Sequence, residues 1–323
     1  MSHDRIFAIN SEAIKMRIVV AGGAGFIGSH LTEELLKQGH KVVVIDNFIT
    51  GSRKNLEHLK TDNLFIIDHD ITQPIYLGEK VDRIYHLASP ASPIDYQKHP
   101  IQTLKVGALG THNMLGMAMT HGARILLSST SEVYGDPEVH PQTEEYWGHV
   151  NPVGPRSCYD ESKRFAEAIV VAYRDYHHVD TRIIRIFNTY GPRMRLNDGR
   201  VVPEFISQVL KGKNITIYGD GTQTRSFCFV SDLVRGMIGV MEHSYMNPIN
   251  LGNPAEITIN EFAEQIIKVS GIKVEKVNLP LPKDDPKRRK PDITKAKEII
   301  GWQPTVSLEE GLRKTIEWAK ENV

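Results

Sequence analysis

Short runs of uninterrupted apolar residues, each followed by a stretch with helical spacing, constrain this chain more than any other feature. Arg17–Ala21 (RIVVA), Lys41–Asp46 (KVVVID), Leu64–Ile67, Ile84–Ala88 (IYHLA) and Arg124–Ser128 (RILLS) are too short for helices and rich in Val, Ile and Leu. They are apolar throughout rather than alternating, as strands covered on both faces are. Helical patterns lie between them, at Phe26–Gln38 and Thr103–His121. The alternation predicts an α/β fold around a doubly wound parallel sheet. A long helix, Arg156–His177, and a further strand, Thr181–Phe187, continue it. After about residue 190, Gly, Pro and Arg punctuate shorter elements. These are a helix at Pro203–Lys211, a strand at Ile215–Tyr218, and helices near Ser231–His243, Ile259–Ser270 and Leu308–Glu321. The expected organisation is a leader over 1–15, a first domain over 16–190, and a smaller second lobe over 191–323, part of which returns to the first sheet.

Composition bounds the function classes. The chain has 323 residues, with 39 Lys+Arg against 39 Asp+Glu. It lacks the global positive charge of a non-specific nucleic-acid binder. No apolar stretch is long enough to span a membrane. Met1–Lys15 is interrupted by Asp4, Arg5 and Glu12 and makes a poor signal peptide, so a cytoplasmic protein is expected. Two cysteines, Cys158 and Cys228, are too few for a disulfide framework or a Cys-type zinc site. No HExxH-like spacing occurs among the histidines, so no metal is expected.

The first strand runs into Ala21-Gly22-Gly23-Ala24-Gly25-Phe26-Ile27-Gly28, which opens the first helix. In this GxxGxxG pattern Gly22 permits a tight turn. Gly25 lets the backbone approach a pyrophosphate, whose charge meets N–H groups at the helix N-terminus, and Gly28 allows close helix–strand packing. Asp46 ends the second strand, where a carboxylate accepts hydrogen bonds from ribose hydroxyls and repels a 2′-phosphate. The set predicts a Rossmann-type NAD site. Asp70-Ile71, after the third strand, is a candidate for the adenine edge and equally for a helix cap.

Tyr159-Asp160-Glu161-Ser162-Lys163 puts Tyr and Lys at i and i+4 on one helix face. A nearby ammonium lowers a phenol's pKa, and such a tyrosine removes a hydroxyl proton as hydride leaves the same carbon. Leu127–Gly135 (LSSTSEVYG) follows the fifth strand, at the carboxyl edge where α/β sheets bind ligands. Thr130 there is placed to hydrogen-bond a substrate oxygen beside Tyr159.

GGAGFIG, SSTSEVYG, YDESK and RIFNTYGPR together resemble the extended short-chain dehydrogenase/reductase family that modifies nucleotide sugars, from Met16 onward. Within it, YGDPEVHPQTEEYWGHVNPVGPRSCYDESKR and NLGNP with DDPKRRKPDITKAKEIIGWQP resemble the UDP-glucuronic acid decarboxylase (UDP-xylose synthase) family, as does HLASPASP. The resemblance implies oxidation of UDP-glucuronate at C4 by resident NAD, loss of the carboxylate β to the new ketone, and return of hydride to give UDP-xylose. It implies Tyr159 as the base at O4 and Lys163 as its modulator and nicotinamide-ribose ligand, with Thr130 supporting the developing oxyanion. Ser131 and Glu132 fall near the sugar carboxylate. Glu132 either positions water or the carboxylate, or disfavours the bound carboxylate by like charge. Arg289 either binds the carboxylate or helps deliver the C5 proton. Phe26, Ile27, Asn47, Leu87 and Ser89 join the implied cofactor contacts. A homodimer through the helices holding 103–121 and 156–177 is implied too.

A nucleotide sugar carries two phosphates and a carboxylate and needs cations. Lys105, Asn188, Arg200 and Arg225 match the family's substrate contacts, with Arg193, Arg195 and the Lys287–Lys290 run nearby. The run Lys283–Lys290 also has the look of a nucleic-acid or targeting patch, a reading its mixed acids argue against. Trp147 is a candidate for the pocket wall or the core, and Cys158 reads as a packing residue. One departure stands out: related proteins carry Asn where this chain has Gly107, which bears on how the Lys163 ammonium is held. The competing readings are a nucleotide-sugar 4-epimerase or 4,6-dehydratase on the same scaffold, and a non-catalytic NAD-sensing protein. Ser131 stands where a dehydratase needs Asp, and a sensor has no need of the Tyr–Lys pair.

Overall fold

The computed structural model describes residues 15–280 and 289–322. The expected leader lies outside them apart from Lys15, as does the charge run before Arg289. The first half reads β1 (Arg17–Ala21), α1 (Phe26–Lys37), β2 (Lys41–Asp46), β3 (Leu64–Asp68), β4 (Arg83–His86), α2 (Pro93–Lys98), α3 (Pro100–Lys105), α4 (Thr111–His121), β5 (Arg124–Thr130), α5 (Ser157–His177) and β6 (Thr181–Ile186). The second half reads β7 (Thr189–Tyr190), α6 (Val201–Leu210), β8 (Ile215–Tyr218), β9 (Thr224–Ser226), β10 (Cys228–Phe229), α7 (Val230–Glu242), β11 (Ile249–Leu251), β12 (Glu256–Thr258), α8 (Ile259–Ser270), β13 (Lys276–Leu279), α9 (Thr294–Ile300) and α10 (Leu308–Lys320).

The seven-stranded sheet has the order β11-β6-β5-β4-β1-β2-β3. Each neighbouring pair is parallel, as the apolar runs predict. Val19, Val20, Val42, Val43 and Val44 are fully buried, each burial favouring the fold by about 1.5–3 kcal/mol. The exception is β3 at the sheet edge, where Phe65 is 42% and Ile66 39% exposed. As the last strand in the order it pairs with β2 alone, with Arg17 lying over the Phe65 ring. Strand order reverses between β1 and β4, and it is there that such sheets open a ligand crevice.

The helix predicted over Thr103–His121 is broken into α3 and α4 by a π turn at Val106–Gly110. Gly107 sits in that turn against α5. A Cβ there would lie 2.6 Å from Ser162 Cβ and 2.7 Å from the Ser162 carbonyl oxygen. The missing side chain thus lets the two helices touch, and the widened turn fits the known habit of π turns at functional sites. Tyr159, Lys163, Ala166 and Val170 form the buried stripe of α5, at helical spacing.

In the second half α6 starts at Val201, before the predicted Pro203, since proline is tolerated in a first turn. Stacked Phe227 and Phe262 rings, 4.3 Å apart, anchor its core. Helix α8 opens on a capping box, with Thr258 and Glu261 each satisfying the other's backbone N–H. Strand β11 leaves this half to pair with β6 and lengthen the first sheet. Among the described residues no helix is long and apolar enough to cross a membrane.

Candidate functional site

The cofactor, substrate and catalytic candidates from Gly22 to Arg225, with Arg289, border one cleft of about 1330 Å³ at the carboxyl ends of the strands; Trp147 and Lys290 do not. It runs from the glycine turn past Asp46 and Asp70 to the end of β5, and across to Arg200, Arg225 and Arg289.

At one end the cleft is made largely of backbone. Gly22 has φ +82°, and a Cβ on it would strike Ala88 N at 2.7 Å. A Cβ on Gly28 would lie 2.1 Å from Gly22 O, so the first turn of α1 presses against the loop. Gly25 is the N-cap and offers no side chain, which leaves the first-turn N–H groups to line the cleft. Asp46 accepts from Ala24 N–H at 3.0 Å and Phe48 N–H at 2.9 Å. Burial raises its pKa against the pull of those two N–H groups. Asp70 borders the cleft and accepts from Thr72 N–H at 2.9 Å in a turn; no helix starts there, so the helix cap is not its role. Beside it Ile71 O accepts from Asn113 Nδ2 at 2.8 Å. A glycine cradle that any Cβ would fill, free helix N–H groups and a carboxylate at the end of β2 together fit a dinucleotide.

The other end is built from side chains. Thr130 ends β5, and its Oγ1 accepts from Glu132 N–H at 3.2 Å. Tyr159 is nearly buried, with its ring stacked on Tyr96 at 5.1 Å. Lys163 Nζ donates to Ser128 O at 2.8 Å and lies 5.9 Å from the Tyr159 ring centroid. Burial brings the Lys163 ammonium down to about 8 despite the opposing Glu167 charge. The tyrosine departs from expectation. Burial pushes its phenol well above the ordinary value, and the Thr130 hydrogen bond only partly offsets this. The carboxylates of Glu132 and Asp160 push the same way, and the ammonium is held by Ser128 O rather than by the phenol oxygen.

Glu132 is clamped between two guanidiniums. Arg156 Nη2 donates to one carboxylate oxygen at 2.5 Å, and Arg289 Nη1 donates to the other. Burial alone would raise this carboxyl, but Arg289 and Arg156 outweigh it and hold it down at about 2. Ser131 is buried beside it. Asp160 lies behind this cluster with Oδ1 unpartnered, and burial together with the Glu132 charge lifts it to about 7.

Among the substrate candidates, Arg200 pairs with Asp198 through Nε at 2.8 Å, and Arg225 Nη1 donates to Thr224 O at 2.9 Å. Lys105 and Asn188 border the cleft. Arg193 pairs with Glu33 and Arg195 with Asp95, which ties the loop after β7 to α1 and α2. Trp147 belongs to neither the pocket wall nor the core: its side chain is 90% exposed. Cys158 packs against Tyr96 O, and burial raises its thiol, in line with a packing role. A Cβ at position 107 would strike Ser162, so the site has no room for an asparagine there, and the Lys163 ammonium is held by Ser128 O. Sequence reasoning missed Arg156, Tyr96 and Asp160. Arg156 stands three residues before Tyr159, one helical turn, and that spacing was the available signal.

Residues 19–315 match the model of the GDP-mannose 4,6 dehydratase family. The chain is 55% identical to UDP-glucuronic acid decarboxylase 1 of Xenopus tropicalis over 314 residues, 97% of this chain and 74% of that protein. Among solved structures it resembles the UDP-glucose 4-epimerase of Thermotoga maritima with UDP-glucose, at TM-score 0.88 and 31% identity over 95% of this chain and 99% of that one. It also resembles the UDP-glucuronic acid 4-epimerase of Bacillus cereus in complex with UDP-glucuronic acid and NAD. That match has TM-score 0.83 and 30% identity, over 95% of this chain and all of the other.

Proposed function

This chain belongs to the UDP-glucuronic acid decarboxylases of the extended short-chain dehydrogenase/reductase family, and we propose that it converts UDP-glucuronate to UDP-xylose and CO₂ with NAD restored in each cycle. Residues 16–190 serve as the dinucleotide-binding domain and 191–323 mainly as the substrate lobe. The observation that carries the reading is the half-buried Glu132 held between Arg156 and Arg289 beside Thr130 and Tyr159. Two guanidiniums against one carboxylate leave a net positive charge where a sugar carboxylate has to sit. An epimerase whose sugar carries no carboxylate has no use for that charge, and one that acts on a uronic acid is told apart by its product.

NAD, held along Gly22, Gly25, Phe26, Ile27, Gly28, Asp46, Asn47, Leu87 and Ser89, supplies the hydride acceptor and later the donor. Tyr159 takes the proton from O4 as C4 is oxidised, with the Thr130 hydrogen bond as the group that eases its ionisation, while Lys163, at about 8, stays protonated near neutrality one turn away. The carboxylate is then β to a ketone. Its C–C bond breaks, CO₂ departs, and the electron pair moves onto the C4 oxygen as an enolate. The hydroxyls of Thr130 and Tyr159 donate to that oxygen where the charge grows. Arg289 holds the carboxylate before it leaves. C5 then takes a proton that comes from solvent on the Glu132 side of the cleft, since Glu132 itself stays ionised. As hydride returns to C4, Tyr159 gives its proton back to O4. Lys105, Asn188, Arg200 and Arg225 anchor the nucleotide diphosphate.

Two further parts of the reading are separately testable. The helical face bearing Ile101, Leu104, Leu109 and Phe165 leaves large apolar side chains exposed, and a second copy of the chain covers it. Light scattering that finds a monomer removes this part alone. The two thiols are unpaired, as suits a reducing cytoplasm, and cell fractionation checks the compartment. The central test is mass spectrometry of the product from UDP-glucuronate with no added cofactor. UDP-pentose with one CO₂ supports the reading, whereas a UDP-uronic acid epimer or unchanged substrate overturns it.

A further inference from the structure

Arg289 reaches Glu132 across 157 positions of sequence, so something must hold its segment in the cleft. That holding group is Gln142, a fully buried residue on the connection from β5 to α5. Its backbone N–H donates to Lys290 O at 2.9 Å, and Asp292 N–H donates to its carbonyl oxygen at 2.9 Å. Its side chain completes the seat. Oε1 accepts from Lys290 N–H at 2.9 Å, while Nε2 donates to Val139 O at 2.8 Å. The residue directly after Arg289 is therefore pinned at both its N–H and its carbonyl by one glutamine. The same connection carries Glu132, and Gly135 O on it accepts from Arg289 Nη2 at 3.4 Å.

The seat is itself braced. Asn250 on β11 donates to Gln142 O at 3.0 Å and to Asp292 O at 3.1 Å. Its Oδ1 accepts from Tyr134 OH at 2.8 Å, and Tyr134 OH accepts from Arg185 Nη1 at 2.9 Å. Gln142, Asn250 and Tyr134 thus each have partners for their side-chain polar atoms, the condition under which such a network rigidifies its surroundings.

We propose that Gln142 is a positioning residue for Arg289: its carboxamide seats residues 289–292 so that the guanidinium meets Glu132, and through it Gln142 governs the step in which CO₂ leaves. This rests on the decarboxylase reading. Oxidation at C4 depends on Tyr159, Thr130 and Lys163, none of which touches the seat.

The experiment uses the full-length protein with its bound dinucleotide and the variants Gln142→Met, which fills the same volume, and Gln142→Glu, which keeps an acceptor for Lys290 N–H. In Gln142→Met, CO₂ release from carboxyl-labelled UDP-glucuronate is expected to fall about 100-fold, since a misplacement near 1 Å costs that much. Loss of hydride from C4 is expected to change by less than about threefold, because its residues stay in place. Gln142→Glu falls between Gln142→Met and the unmodified protein. In an Arg289→Ala background, Gln142→Met is expected to add less than about twofold, as coupled residues do. A further tenfold loss there, an equal fall in both steps, or no fall at all overturns the proposal. Amide exchange at Lys290 and Asp292 gives a readout that needs no turnover. It must speed up in Gln142→Met, and unchanged exchange sinks the seat whatever the reaction is. If the unmodified protein releases no CO₂ yet Gln142→Met loosens the amides, the functional reading fails and the seat stands.

Discussion

The two ends of the cleft are made in different ways. The dinucleotide end is a local construction: Gly22, Gly25, Gly28 and Asp46 span 25 positions, and their contacts are mostly backbone N–H groups and missing Cβ atoms. The sugar end is a non-local construction of buried ions, where Glu132 meets Arg156 24 positions later and Arg289 157 positions later. A cradle of backbone fails by crowding. A cluster of buried charges fails by losing a partner, and the second failure costs more, because an uncompensated charge in a low-dielectric site is expensive.

The largest effect expected at the sugar end is chemical. Tyr159→Phe keeps the ring stacked on Tyr96 but removes the hydroxyl. Turnover should drop by about 10³-fold or more, the scale of a lost general base. The fold and dinucleotide binding should remain, as read by circular dichroism and cofactor fluorescence. Full activity would show that another group takes the O4 proton.

Glu132→Gln tests the charge cluster itself. It leaves the buried Arg289 and the half-buried Arg156 without their counter-ion, and breaking a buried pair costs about 3–5 kcal/mol, with the more exposed Arg156 adding less. The native carboxyl sits at about 2, below the ordinary 4.5, so its contribution is present above pH 4.5 and fades as pH falls through about 2. Urea titration should show the deficit undiminished from pH 5 to 9. A variant as stable as the unmodified protein would mean that the clamp adds nothing to the fold.

Legibility in the sequence follows the same division. The strands, the glycine turn and Asp46 were readable because hydrophobic periodicity and a motif of eight residues are local signals. Tyr159 and Lys163 were readable as an i, i+4 pair. The clamp on Glu132 was not, since no spacing rule joins positions 132, 156 and 289. Arg289 was reached through family resemblance and Arg156 was missed. The tyrosine's acidity was misjudged for a related reason: the sequence shows an ammonium one turn away, but not that Ser128 O holds it or that burial dominates the phenol. Gly107 read as a loss. It is a contact, because its bare Cα is what admits Ser162.

Asp160→Asn probes the cost of crowding carboxylates behind the clamp. The folded carboxyl titrates at about 7 against 3.8 for an ordinary Asp. Between those values the folded state holds a proton that the unfolded state has lost, so stability falls as pH rises through the window, by about 1.4 kcal/mol per pH unit at most. Asn mimics the protonated form. The variant should match the unmodified protein near pH 4 and exceed it by about 2–4 kcal/mol at pH 8, within the bound that linkage sets. Equal melting at both pH values would show that Asp160 ionises without cost.

Gly28→Ala carries the comparison to the dinucleotide end, where the smallest effect is expected. The added Cβ would lie 2.1 Å from Gly22 O, a contact that forces α1 away from the loop. Overpacking of this kind costs about 1–3 kcal/mol. No charge is stranded, so the chain should still fold, and the displacement should fall on the N–H groups that line the cleft. The variant should therefore be purified with less bound dinucleotide, regain activity when NAD is added in excess, and keep its ratio of CO₂ released to hydride removed. That unchanged ratio is the sharp outcome. If Gly28→Ala altered the partition between oxidation and decarboxylation, the two ends of the cleft would be mechanically coupled, and the separation between a backbone cradle and an ionic clamp would not hold.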